Sequence, residues 1–187
     1  MTRKIVLLSL APALALGLWA CGGSTAKSPA EKSPAPNPAA QAALPAGLFL
    51  EAAPEQAVDV GKLKESAKEH DEVVVRGRIG GDHHPFVEGS AVMFLVDPEL
   101  KSCGETGEED HCQTPWDFCC EPKEKRTANM LTVQLVDESG KPLKTGLKGQ
   151  HGLKELSTVI VKGKVGPRPD PKILVVNATG LYVEPGK

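Results

Sequence analysis

Two stretches of this chain alternate hydrophobic and polar positions in the same way. In VVVRGRIG (73–80), Val73, Val75, Gly77 and Ile79 fall on one face, and Arg76 and Arg78 on the other. In VIVKGKVG (159–166), Val159, Val161, Gly163 and Val165 oppose Lys162 and Lys164. A period of two sends successive side chains to opposite faces, so each stretch predicts a strand with one buried face. A glycine on that face predicts a bend or a close backbone approach, as a tightly coiled small barrel requires. Three further strands are predicted. SAVMFLVD (90–97) is a nearly continuous apolar run, expected to be central or buried on both sides. LTVQLVD (131–137) points Leu131, Val133 and Leu135 inward before turning at DESGKP. KILVVNATGLYVE (172–184) is long enough to bend between Asn177 and Gly180. Ahead of the first strand, VDVGKLKESAKEH sets Val60, Leu63 and Ala67 at helical spacing, with Asp59 as the expected cap. GLKGQHGLKELS (146–157) reads as a short helix or an irregular loop.

Strand, strand, strand, helix or loop, strand, strand is the order of the OB-fold, a five-stranded Greek-key barrel. Residues 58–184 resemble an OB-fold of the extracytoplasmic bacterial type, with VRGRI and VKGKV matching its glycine-containing first and fourth strands. The expected fold class is therefore all-β: a small five-stranded OB-like Greek-key barrel over 49–187, with a short N-terminal helix. A β-sandwich is the alternative. Between the second and third predicted strands lies a cysteine-rich insertion (101–122) where a short hairpin is usual, and a loop of that length needs a reason.

The N-terminal pattern is different. Arg3 and Lys4 precede IVLLSLAPALALGLWA, an apolar run too short for a comfortable span that ends in small residues, so 1–20 read as a signal peptide. Leu18-Trp19-Ala20-Cys21 resembles the bacterial lipobox. That resemblance implies cleavage before Cys21, lipidation of its thiol and acylation of the new amino terminus. Several acyl chains anchor stably where one is marginal. Gly22 after the cysteine, by the same resemblance, favours the outer membrane, and the expected place is the cell envelope, facing the periplasm. Residues 21–48 then form a tether of Gly, Ser, Ala, Pro and Lys, which lacks the apolar surface to fold.

Composition sharpens two points. Aromatic residues make up 4% of the chain, so the core falls to Val, Leu and Ile. Residues 49–187 carry 18 basic and 23 acidic side chains, which argues against a nucleic-acid partner because phosphate neutralisation supplies most of such affinity. The charge is uneven. Residues 49–120 hold 6 basic against 16 acidic groups, and 121–187 hold 12 against 7. Arg76, Arg78, Lys162 and Lys164 form one cationic stripe if the first and fourth strands pair. That stripe is either a solvated strand face or a site for an anionic glycan or protein partner.

The candidate chemistry sits in SCGETGEEDHCQTPWDFCC (102–120), which holds every cysteine except Cys21. TPWDFCCEP within it resembles a motif of exported bacterial proteins, a resemblance that implies no activity. Cys103, Cys112, Cys119 and Cys120 are spaced C-x8-C-x6-C-C. An exported compartment and an even count favour two disulfides. Of the three pairings, one joins Cys119 to Cys120 in a strained eight-membered ring that fits poorly with relaxed disulfide geometry, and the other two tie the adjacent cysteines back to Cys103 and Cys112. The same thiols are candidate ligands for zinc or copper, with His111, or with His83 and His84 from the loop after the first strand. The usual C-x2–4-C zinc knuckle is missing. A redox role for Cys119 or Cys120 is disfavoured by the absence of C-x-x-C and by acidic neighbours that raise a thiol pKa. Trp116 and Phe118 are expected to roof the barrel end as a small satellite core, or to stack on a ligand. His70 and His151 lie with the other histidines on predicted loops or termini, and no catalytic constellation is recognised. The chain reads as a non-enzymatic binding or envelope-structural module with no cofactor, and as a metal-binding lipoprotein in the alternative.

Overall fold

A computed structural model describes residues 43–106 and 112–186. The signal peptide, Cys21, nearly all of the tether and His111 lie outside the described residues. In chain order the elements are β1 (Val58–Asp59), α1 (Val60–Ser66), β2 (Glu72–Ile79), β3 (Val92–Val96), α2 (Lys123–Ala128), β4 (Met130–Gln134), β5 (Thr158–Val165) and β6 (Val175–Val183). Single 3-10 turns occupy Cys103–Glu105 and Gln150–Gly152. The second of these is the only regular structure in 146–157, which is otherwise an irregular loop.

The five long strands close on themselves. β2 pairs antiparallel with β3, and β3 with β4. β4 then runs parallel to β6, and β6 antiparallel to β5. β5 returns antiparallel to β2 over seven registered pairs, from Glu72↔Lys164 to Arg78↔Thr158. The result is a closed, five-stranded, all-β barrel, consistent with an OB-like fold. Closure removes the exposed edges that a small sheet otherwise presents. The short β1 adds a parallel strip along β2, with Val58 opposite Val75.

The period-two pattern does the work expected of it. β2 buries Val73, Val75, Gly77 and Ile79, and β5 buries Val159, Val161, Gly163 and Val165 while exposing Lys162 and Lys164. Val75, Met93, Leu95, Val133, Val161, Val176 and Leu181 are fully enclosed in one aliphatic core. Enclosing a Val or Leu side chain contributes about 1.5–3 kcal/mol, so this core is the main source of stability. The apolar run of β3 divides its payload: Met93 and Leu95 face the barrel core, while Val96 faces a second, smaller cluster with Leu100 and Phe118. Gly163 shows why a glycine stands on a buried face. The β5–β6 register shifts between Lys162 and Gly163, and a Cβ at Gly163 would lie 2.4 Å from the Asn177 carbonyl oxygen.

α1 covers the barrel with Val60 and Leu63, and Ala67 is buried beside its C-terminal end. Its cap differs from expectation. Asp59 makes no side-chain cap; its carboxylate lies 3.9 Å from Arg76. The buried carboxylate of Asp97, just after β3, accepts the Gly61 amide at 2.8 Å and so caps the helix from a distant part of the chain. At the other end, Lys64 is buried and donates to the carbonyls of Thr127 and of Met130, the latter at 2.8 Å. Burial and the nearby Arg168 charge pull its pKa below the ordinary lysine value. Leu48, at the end of the expected tether, is 2% exposed and its carbonyl accepts the Leu181 amide of β6 at 2.7 Å, while Leu44 packs on the core. Composition averaged over an Ala/Pro-rich stretch hides two such leucines.

Candidate thiol site

The segment between β3 and β4 folds back on itself. The Cys103 amide donates to the Asp117 carbonyl (2.8 Å), and the Gly104 amide to that of Pro115 (3.0 Å). These two bonds lay the first cysteine against the last two. Ser102 and Glu105 form a capping box around the 3-10 turn, with the Ser102 amide and hydroxyl both donating to Glu105 Oε2 at 2.9 and 2.8 Å. Arg78, from the outer face of β2, donates to the same carboxylate oxygen at 2.8 Å. Burial acts to raise the Glu105 pKa, but Arg78 and Ser102 outweigh it and hold the carboxyl below its usual value. The S-x-x-E spacing was visible in the chain; its attachment to Arg78 was not.

Phe118 is the apolar counterpart of that clamp. It is fully buried against Val96 and Leu100, with Met130 and Leu156 packed on the same cluster. The ring lies so close to β2 that a Cβ at Gly80 would come within 2.6 Å of it. Arg78 passes 5.9 Å from the ring centroid, within cation–π range. Phe118 thus forms the satellite core expected of it, and Arg126 donates to its carbonyl at 3.3 Å.

This framework gathers the four sulfurs. Cys103 Sγ lies 3.3 Å from Cys119 Sγ and 3.4 Å from Cys120 Sγ. Cys112 Sγ lies 3.8 Å from Cys119 Sγ. Among the described residues no two sulfurs are at bonding distance. The thiols of Cys103, Cys119 and Cys120 all lie within 4.8 Å of one another. Cys103 is buried, whereas Cys119 and Cys120 are exposed. Cys112 stands outside that triad, turned towards the carbonyl (3.6 Å) and hydroxyl (3.8 Å) of Thr114.

The thiols are not equivalent electrostatically. Burial pushes Cys103 up, but the backbone of Cys120 and the neighbouring sulfurs outweigh it and hold its pKa below the ordinary thiol value. Cys119 is pushed up to about 11, first by its hydrogen bond to Cys103, then by burial, Cys112 and the charges of Cys103 and Asp117. The same contact thus pulls Cys103 and Cys119 in opposite directions. Asp117 comes last among these causes, so the neighbouring sulfur outweighs the acidic surroundings in raising Cys119.

Of the candidate histidines, His83 and His84 are described, and neither joins the sulfurs. His83 Nδ1 contacts the Thr114 hydroxyl at 3.2 Å, and its carbonyl accepts the Trp116 indole N–H at 3.2 Å. His84 meets His83 edge to face, with ring centroids 5.0 Å apart. Both line a groove of about 410 Å³ with Phe86, Thr114, Trp116 and Leu147. Elsewhere, His70 lies 3.3 Å from Glu69 and His151 stacks on Phe49.

The cationic stripe forms but is largely spent within the protein. The β2–β5 register puts Arg76, Arg78, Lys162 and Lys164 on the outer barrel face. Arg76 is held in a two-toothed ion pair by Glu184, at 2.7 and 3.0 Å, and Arg78 by Glu105. Lys162 and Lys164 remain exposed beside a shallow groove. Among the described residues no helix is long and apolar enough to cross a membrane.

No protein-family model, curated protein or solved structure matches the chain.

Proposed function

We propose that this is a lipid-anchored module of the bacterial cell envelope whose OB-like barrel carries a thiolate site for a soft metal ion. The observation behind this reading is the convergence of Cys103, Cys112, Cys119 and Cys120, with sulfur separations of 3.3, 3.4 and 3.8 Å. Bonds of about 2.3 Å to a tetrahedral Zn²⁺ imply sulfur–sulfur edges of about 3.8 Å, and a slightly contracted set suits the same ion or Cu⁺. Soft sulfur donors select those metals over the hard cations that prefer oxygen. The chain's own residues supply the rest. Arg78, Glu105 and Ser102 fix the turn that carries Cys103, and Phe118 fixes the turn that presents Cys119 and Cys120. On this reading the module is not an enzyme; Cys21 carries the lipid, 22–48 form the tether, and the barrel with its inserted thiol segment faces the periplasm, on the outer membrane by preference.

The test is native mass spectrometry of the full exported chain after reduction and incubation with Zn²⁺ or Cu⁺. One bound ion per chain, lost in a Cys103→Ser variant, supports the site. An unchanged mass with four alkylatable thiols defeats it. The sulfur contacts also favour a second reading, in which the insertion is stapled in the oxidised periplasm. Cys103–Cys120 and Cys112–Cys119 are both close pairs, and together they use every cysteine of the segment once. In that case the exported protein has lost four hydrogens and takes up no metal.

A further inference from the structure

We infer that the cluster is an exchange site for Cu⁺ carried as cargo, held by Cys103, Cys119 and Cys120, with Cys112 outside the holding set. The inference rests on the thiolate reading above and adds the ion, the ligand set and the direction of access. Three observations carry it.

The first is asymmetry. A structural zinc site is closed, with four equivalent ligands around one centre. Here three sulfurs lie mutually within 4.8 Å, while the fourth, Cys112, meets Cys119 at 3.8 Å and is shared with the Thr114 carbonyl at 3.6 Å. Three thiolates satisfy a monovalent d10 ion, whereas a closed structural Zn²⁺ site takes a fourth protein ligand.

The second is exposure. Cys103 is buried beneath the turn, but Cys119 and Cys120 open to solvent. A donor or acceptor ligand can therefore reach the ion from one side while Cys103 holds it from below.

The third is that the surrounding segment has other means of support. Phe118 is enclosed by Val96 and Leu100, and Arg78 clamps Glu105. The amides of Cys103 and Gly104 are bonded across to Asp117 and Pro115. A metal that acted as the staple of a small domain would replace such contacts. These are already made, so the thiols are pre-set for an ion that comes and goes.

Exchange at this site involves no change of oxidation state. A Cu⁺ arriving on a thiolate or thioether donor gains a bond to the Cys103 sulfur, then to those of Cys119 and Cys120. Each copper–sulfur bond formed is matched by one broken to the donor. Protons lost by the incoming thiols pass to a departing thiolate, or to water when the donor is a thioether. Unloading runs in reverse through the exposed Cys119 and Cys120.

The experiment uses the full chain, reduced and kept anaerobic in detergent. Cu⁺ is supplied as its bicinchoninate complex, and Zn²⁺ is added in parallel with a coloured indicator. The expected result is one Cu⁺ per chain, withdrawn by excess bicinchoninate to leave a chain that is still folded and unfolds in one transition, lowered only by the loss of ligand linkage, with Trp116 fluorescence unchanged. Ser at Cys103, Cys119 or Cys120 should weaken Cu⁺ binding by more than about a hundredfold, beyond the range usual for residues outside the ligand shell. Cys112→Ser should weaken it by less than about tenfold. Four equal losses, or a segment that unfolds when metal is withdrawn, would overturn the exchange site in favour of a closed four-thiolate staple, and the metal reading itself would survive. If neither ion binds the reduced chain, both readings fail together.

Discussion

The barrel and the cysteine segment are held by opposite kinds of force. The barrel buries a continuous set of aliphatic side chains inside a closed ladder of backbone hydrogen bonds. The segment between β3 and β4 buries one aromatic ring and relies on an ion pair, a capping box and two cross-loop backbone bonds. Hydrophobic burial is non-directional and tolerates small shifts, whereas charge-assisted hydrogen bonds fix atoms to within a few tenths of an ångström. The first suits a scaffold. The second suits a place where sulfur atoms must stand at set distances.

The largest expected effect lies in the scaffold. Leu95→Ala, in the middle of β3, should cost about 3–5 kcal/mol in urea unfolding. Metal binding by the fraction that remains folded should be unchanged; if it falls in step with stability, the two regions are not separable. Oxidation comes next. Treatment of the reduced, metal-free chain with oxidised glutathione, which is itself reduced to thiols, should join Cys103 to Cys120 and Cys112 to Cys119. Each bond should add about 2–3 kcal/mol by the chain-entropy argument. Peptide mapping reads the pairing directly. A Cys103–Cys119 bond would show that the short 3.3 Å contact, rather than the complete set of pairs, directs oxidation.

These two expectations mark how far the chain could be read without coordinates. Val73, Val75 and Ile79, and Val159, Val161 and Val165, announce their burial because period two is a local property of a strand. Phe118 announces itself too, as a large apolar residue in an acidic loop. Arg78 does not. Its sequence position says only that it faces away from the core, and the stripe it shares with Arg76, Lys162 and Lys164 is divided between internal ion pairs and solvent. The cap on α1 differs for a similar reason: Asp59 is adjacent in sequence, but the carboxylate that accepts the Gly61 amide is that of Asp97.

A smaller effect follows from the clamp. Arg78→Met should destabilise the folded chain by about 1 kcal/mol, since an ion pair with one partner half exposed is screened by water. Its signature is in the pH profile. The folded pKa of Glu105 is lowered, so its stabilisation is complete above the unfolded value of about 4.3 and is lost as pH falls through the folded pKa. The variant should show a flatter acid limb than the parent in thermal unfolding at low pH. An unaltered acid limb would mean that Ser102 alone holds the carboxylate. The smallest effect is expected on the open part of the stripe. Lys162→Ala and Lys164→Ala should each change stability by less than about 0.5 kcal/mol and leave metal uptake untouched. A marked loss of binding to an acidic glycan in either variant would restore that face as a site.

By itself the sequence determined which segments form the five barrel strands, which faces they bury, and that four thiols share one inserted segment. Each of these follows from local periodicity, local composition or counting. Only the tertiary structure decided which thiols meet. Cys103 and Cys120 are 17 positions apart, and Arg78 and Glu105 are 27 apart. Their approach depends on barrel closure bringing the end of β2 under the inserted turn, and on Phe118 seating that turn against Gly80. Distances of that kind are set by packing between elements, and no window along the chain contains them.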